Sequence, residues 1–213
     1  PSNPTGTMLL EDELSGLVQW CQKNEVRLIS DEIYHGVTYG ESPPTAAAYW
    51  DEVVVVNSFS KYFSMTGWRV GWLVLPQALV SPVERLTQNA FIAAASVSQH
   101  AALGAFDSHD ELELNLERYR VNRSILLEGL PRVGIGPLAP ADGAFYIWAQ
   151  VDDLCDDSQE LAQQWLHELG VAVTPGIDFD PKEGHRFIRF SFAGSTQETL
   201  DTVEKLSQWY VDR

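Results

Sequence analysis

The chain has 213 residues, 45% of them hydrophobic, with 30 acidic against 14 basic side chains and a formal net charge of -16. That hydrophobic fraction is ordinary for a folded globular chain, and the length suits one large domain or two small ones. The acidic balance argues against nucleic acid or an anionic membrane as partner, because both need basic patches, so any anionic ligand has to be held by a few placed arginines.

No apolar run reaches the length of a membrane span. Two cysteines, Cys21 and Cys155, make no disulfide framework, and a reducing cytoplasm is the expectation. The chain opens on the turn-rich Pro1-Ser2-Asn3-Pro4-Thr5-Gly6, which reads as a loop led into by something earlier, so a C-terminal portion of a longer protein is expected.

Leu10, Leu14, Leu17, Val18 and Cys21 recur at helical spacing behind Glu11, Asp12 and Glu13, which predicts a helix over about 10–24 with Cys21 in the core. Val26 to Ser30 reads as a short strand, followed by a loop and a second strand over 53–57. Residues 70–75 form a further strand closed by Pro76, and helices are expected at about 78–91, 97–107 and 110–130, the last ended by Pro131. Composition then shifts to Gly134, Gly136, Pro137 and Pro140. Beyond it come a strand (144–150), a helix (157–169), strands at 171–174 and 186–193, and a final helix (197–211) introduced by the capping box Ser195-Thr196-Gln197-Glu198. Helices wound between strands in the first part indicate an α/β domain, and the second part reads as α+β.

The chain is organised around residues 53–72. The β-branched run Val53 to Val56 reads as a buried strand of a parallel sheet, and ligands in such sheets sit just beyond the carboxyl ends of the strands. There stand Ser58, Ser60 and Lys61, with Arg69 eight residues further on. A lysine amine forms a Schiff base with an aldehyde, while two hydroxyls and a guanidinium suit a phosphate. An aldehyde and a phosphate on one small molecule describe pyridoxal phosphate. The chain has only four lysines, and Lys23, Lys182 and Lys205 lie in polar surroundings, which weighs against Lys61 as an ordinary surface lysine.

Asp31 falls at the end of a strand read as buried, where an unpaired carboxylate is costly. It is a turn residue, or else the anion that keeps a pyridine nitrogen protonated. Tyr34 is a packing aromatic, or a phenol donor to the same ring. Arg189 lies in the aromatic strand Phe187-Ile188-Arg189-Phe190-Ser191-Phe192, sharing a face with Phe187. It is a strand-face ion pair or a fork for a carboxylate. The acidic run at Asp152, Asp153, Asp156 and Asp157 lacks the glycine and distal glutamate of a calcium loop, and the five histidines show no metal-ligand spacing, so no metal is expected.

Taken together, Ser2-Asn3-Pro4-Thr5-Gly6, Asp31-Glu32-Ile33-Tyr34, Ser58-Phe59-Ser60-Lys61 with Gly67-Trp68-Arg69-Val70-Gly71, and Phe187 to Phe192 resemble the class I/II aminotransferases, in order and in spacing. The resemblance covers essentially the whole chain and implies the fold-type I pyridoxal phosphate-enzyme architecture. Residues 1–108 would be part of the large cofactor-binding domain, a mainly parallel sheet with helices, and residues 109–213 a connecting helix with an α+β small domain. It further implies that Lys61 carries the Schiff base and shuttles a proton, that Asp31 pairs with the pyridine nitrogen, and that Tyr34 and Asn3 meet the ring oxygen. Ser58, Ser60 and Arg69 would hold the phosphate, while Arg189 and Asn3 serve the substrate carboxylate. The implied reaction moves an amino group between an amino acid and a 2-oxo acid, in a cytoplasmic homodimer. A carbon–sulfur β-lyase would show the same lysine, aspartate and arginine, and a non-catalytic aminotransferase-like effector domain is a third reading. The family's N-terminal segment and the first half of its large domain have no counterpart in the chain.

Overall fold

The computed structural model describes residues 1–212. It divides into two compact units, one formed by Pro1 and Met8–Leu114, the other by Ser2–Thr7 and Asn115–Arg213. The division falls inside a single long helix, and the opening turn belongs with the second unit.

The first unit starts with helix α1 (Glu11–Lys23), whose acidic first turn complements the helix dipole. Leu14, Val18 and Cys21 are buried, whereas Leu10 stands at the N-cap and Leu17 points outward, so the apolar stripe is narrower than the spacing of leucines suggests. Strands β1 (Ile29–Asp31), β2 (Val54–Ser58) and β3 (Gly71–Val74) form one sheet in the order β1-β2-β3. β1 runs parallel to β2, with Ile29 opposite Val54 and Asp31 opposite Val56. β3 runs antiparallel to β2, with Ser58 opposite Gly71. The short link between β2 and β3 contains no crossover helix, and such a link returns the chain antiparallel.

Val53, Val54 and Val55 are buried, and the first and third pack with Leu14, Val18 and Ala46. β1 departs from the sequence reading. It is an exposed edge, with Ile29 64% accessible and Asp31 also exposed. Helices α2 (Gln77–Ala90) and α3 (Ser96–Ala105) follow, and Ala102 and Ala105 of α3 pack with Phe59 and Met65.

Helix α4 (His109–Arg132) buries Leu112, Leu116, Tyr119, Leu126 and Leu130, as the spacing predicts. It also buries Asn122, whose amide donates to the carbonyls of Phe192 and Gly194 at 3.0 and 3.1 Å. Pro131 lies inside its last turn rather than beyond it, and the chain leaves through the left-handed Gly134. The second sheet comprises β4 (Tyr146–Gln150), β5 (Thr174–Pro175) and β6 (Phe187–Ser191) in the order β4-β6-β5, all antiparallel. The strand expected over 171–174 is reduced to two residues. Helices α5 (Ser158–Leu169) and α6 (Thr196–Val211) complete the unit. Gly129 of α4 allows α6 to approach closely, since a Cβ there would fall 2.6 Å from Val203. No helix among the described residues is long and apolar enough to cross a membrane.

Ile188 is fully buried on the face of β6 opposite Arg189. Ile188→Ala is expected to lower the stability of the second unit by about 2–5 kcal/mol, through lost transfer energy and the cavity left behind; urea unfolding followed by tryptophan fluorescence measures it. At the start of α6, Ser195 and Glu198 form the predicted capping box. Hydrogen bonds from the Ser195 backbone and hydroxyl hold the Glu198 carboxyl below its ordinary pKa. Its contribution is therefore present above the usual carboxylate range and is lost as pH falls through the lowered value. Glu198→Gln should melt earlier than the parent sequence at neutral pH, with the gap closing on acidification.

Candidate active site

The lysine loop hangs from the end of β2. Ser58 Oγ lies 2.9 Å from Ser60 Oγ and 3.1 Å from the Val70 carbonyl, and it accepts the Ser60 N–H at 3.0 Å. The two hydroxyls therefore face each other, and Ser60 is buried. Thr66 donates to the Ser60 carbonyl at 2.7 Å, and Arg69 Nη1 donates to the Thr66 carbonyl at 2.9 Å. Arg69 itself is left-handed, with φ +51° and ψ +50°. Such a backbone costs about 1–3 kcal/mol in a side-chain-bearing residue and tends to mark functional turns.

Aromatic packing fixes the loop. The Phe59 ring lies 4.8 Å from Phe63, 5.1 Å from Trp72 and 5.5 Å from Phe106. Lys61 lies between Phe59 and Phe63 in the sequence, and its Nζ stands 5.6 Å from the centre of the Tyr34 ring. Tyr34 is buried in the turn that follows β1. In that turn Asp31 Oδ1 accepts the Ile33 N–H at 3.1 Å, and the His35 and Val37 N–H groups return to the Glu32 and Tyr34 carbonyls. The first unit thus brings Lys61 to Tyr34 and Ser58 to Ser60.

Glu32, next to Asp31, is a buried carboxylate the sequence reading passed over. It accepts the Ser30 hydroxyl at 3.0 Å and the Ala46 N–H at 2.9 Å, with His35 Nδ1 3.5 Å away. Burial lowers the His35 pKa, against an opposing pull from Glu32. Glu32 thereby ties the end of β1 to the segment Ala46–Ala48, and only the structure, not sequence spacing, pairs residues so far apart.

The second unit brings Asn3 to Arg189. Gly6 is left-handed and accepts the Gly143 N–H at 2.9 Å, which pins the opening turn. Arg189 Nη1 donates to Asn3 Oδ1 at 2.7 Å, and Nη2 to Thr174 Oγ1 at 3.1 Å. The guanidinium carbon lies 4.4 Å from the Tyr146 ring centre and 4.7 Å from that of Phe179. Arg189 Nε is buried without a partner. Arg186, just before β6, pairs with Asp152 at 2.8 Å and with Glu183 at 3.1 Å. Among the ion pairs found in the described residues none engages Arg189. A planar fork with an unmet buried donor calls for an anion. Thr174, Tyr146 and Phe179 were not singled out from sequence, because their role depends on strand pairing and on a loop returning to the sheet.

The family model "Aminotransferase class I and II" matches residues 1–205. The chain is 46% identical over 213 residues to the valine–pyruvate aminotransferase of Mycobacterium tuberculosis, covering 98% of this chain and 55% of that protein. A crystal structure of an aminotransferase from M. tuberculosis superposes with a TM-score of 0.96 at 46% identity, over 100% of this chain and 56% of that one. The aspartate aminotransferase of Thermus thermophilus with maleate gives 0.90 at 29% identity, over 98% and 55%. The chain therefore spans about half the length of the curated relatives it matches. On the family match and these relatives, the chain belongs to the class I and II aminotransferases.

Proposed function

We propose that the chain is the portion of a pyridoxal phosphate-dependent aminotransferase that carries the cofactor lysine and the substrate-carboxylate arginine. Members of this family are generally pyridoxal phosphate-dependent. The donor set fits that group: an amine against a buried tyrosine ring, paired hydroxyls backed by a guanidinium, and an exposed carboxylate on the neighbouring strand end. When bound, the cofactor supplies an aldehyde for the amino group and a ring that accepts the electrons of a broken bond.

The chain's own residues have separate tasks. Lys61 offers its Nζ as the attachment point and as the group that accepts and returns a proton. Asp31 holds a proton at the pyridine nitrogen by its charge. Tyr34 and Asn3 donate toward the ring oxygen. Ser58, Ser60 and Arg69 hold the phosphate through hydroxyl and guanidinium donors. Arg189, oriented by Asn3, binds the carboxylate of an amino acid or 2-oxo acid. Residues 1–108 form part of the cofactor-binding domain, and 109–213 the connecting helix and small domain. The whole protein acts as a cytoplasmic homodimer, and valine with pyruvate is the first substrate pair to try, given the named M. tuberculosis relative.

The observation that carries the reading is the Arg189 fork, packed against two rings with a buried donor unmet. The test is to incubate the full-length parent with pyridoxal phosphate, reduce with borohydride and map the modified peptide. Modification at Lys61, with conversion of an amino acid to its 2-oxo acid while the amino group stays on the protein, is expected. Release of pyruvate and ammonia instead would assign a β-lyase, and no modification at Lys61 would overturn the reading.

A further inference from the structure

Tyr62 follows Lys61 directly and has no part in the reading above. Its ring is held on two sides. Gly36 has φ +90° and lies so close that a Cβ there would fall 2.7 Å from the ring atoms Cγ and Cδ2. The phenol donates to Glu113 Oε1, in the first turns of α4, at 3.1 Å. Burial, with the bond to Glu113, raises the phenol pKa, so it stays a donor at neutral pH. Phe63 meets the ring edge-on at 5.1 Å.

The position of this clamp gives it a consequence. Gly36 closes the turn that begins at Asp31 and includes Tyr34, the ring beside Lys61 Nζ. The lysine loop and the aspartate turn come from different strands, and Tyr62 is wedged against the turn from the residue next to the lysine. We infer that Tyr62 is a positioning residue that, clamped between Gly36 and Glu113, holds the Asp31–Gly36 turn in a fixed relation to Lys61. Glycine is required at position 36 twice over, for its backbone angle and for the space the ring occupies.

The inference rests on the roles proposed for Lys61 and Asp31, and its test separates the two. Tyr62→Ala, Gly36→Ala, their double variant and the milder Tyr62→Phe and Glu113→Gln are made in the full-length parent. Hydrogen exchange is measured without cofactor at residues 31–36 and 61–65. Cofactor affinity and the pH midpoint of the visible band are measured with it. Tyr62→Ala should speed exchange in both segments together, move the midpoint and weaken cofactor binding about tenfold, and Gly36→Ala should do the same. The double variant should fall short of the product of the singles by about fivefold, because the ring that the new methyl strikes has gone. Tyr62→Phe and Glu113→Gln should shift the same readouts in the same direction by less, which keeps the test open if the alanine variants fold poorly. Unchanged exchange in both segments, or wild-type midpoint and affinity in every variant while the parent itself is modified at Lys61, overturns the inference. If the parent shows no adduct at Lys61, the proposed function fails, and the cofactor-free exchange still decides the clamp.

Discussion

Replacing Lys61 with alanine in the full-length parent is expected to lower turnover by about 10⁴-fold or more, since both the attachment point and the proton-transfer group are lost together. The fold should survive. Lys61 is half-exposed, and the loop is anchored by its neighbours, with Phe59 packed against Phe63, Trp72 and Phe106, and Ser60 bonded through Ser58 and Thr66. Melting should therefore stay near the parent's, while borohydride traps no cofactor on the peptide. Lys61→Arg sharpens the test. It keeps a cation beside Tyr34 yet supplies no primary amine for a Schiff base. Equal inactivity of the arginine and alanine variants assigns the loss to amine chemistry; recovery by arginine would assign it to charge. Turnover near the parent's rate in either variant would sink the role given to Lys61.

What could be read from sequence here divides by range. The lysine loop could be singled out because its cues are local: a β-branched strand stops, two hydroxyls and a lysine follow, and an arginine sits a short loop away. Helix α6 was legible for the same reason, its capping box lying within four residues. The exposure of β1 was not legible, because Val26 to Ser30 has the composition of a buried strand and only its position at the edge of the sheet decides the matter. The direction of β3 was hidden in the link from β2, whose left-handed Arg69 gives no signal in the residue type. Asn122 was overlooked because an asparagine on a leucine-rich helix face looks like a break in the pattern. In the folded chain it satisfies two carbonyls some seventy residues away. The same holds for Glu32 and Tyr62. Each is an ordinary residue in its own segment, and each acquires a task only when a distant backbone N–H, a glycine or a carboxylate is brought against it.

Arg189 shows both sides of that division, and it carries the second large effect. Its place on an aromatic strand hinted at a fork, but an ion pair was an equal reading until its surroundings were seen. A guanidinium has five N–H groups; one goes to Asn3 and one to Thr174, which leaves three, among them the buried Nε. The Tyr146 and Phe179 rings both lie against the guanidinium, so its remaining N–H groups are presented from an aromatic setting. That arrangement favours a planar carboxylate. Arg189→Lys keeps the charge but loses the fork and its stacking, and is expected to raise KM for the amino acid by about 10²-fold, with a smaller fall in kcat. A non-reacting carboxylate inhibitor should lose affinity by a similar factor, which reads binding without chemistry. Arg186→Lys is the matched control: that arginine already satisfies Asp152 and Glu183 at an exposed site, so KM should stay within about twofold of the parent's, the usual scale for an exposed ion pair. Equal effects at both arginines would mean that general positive charge, rather than the Arg189 fork, holds the carboxylate.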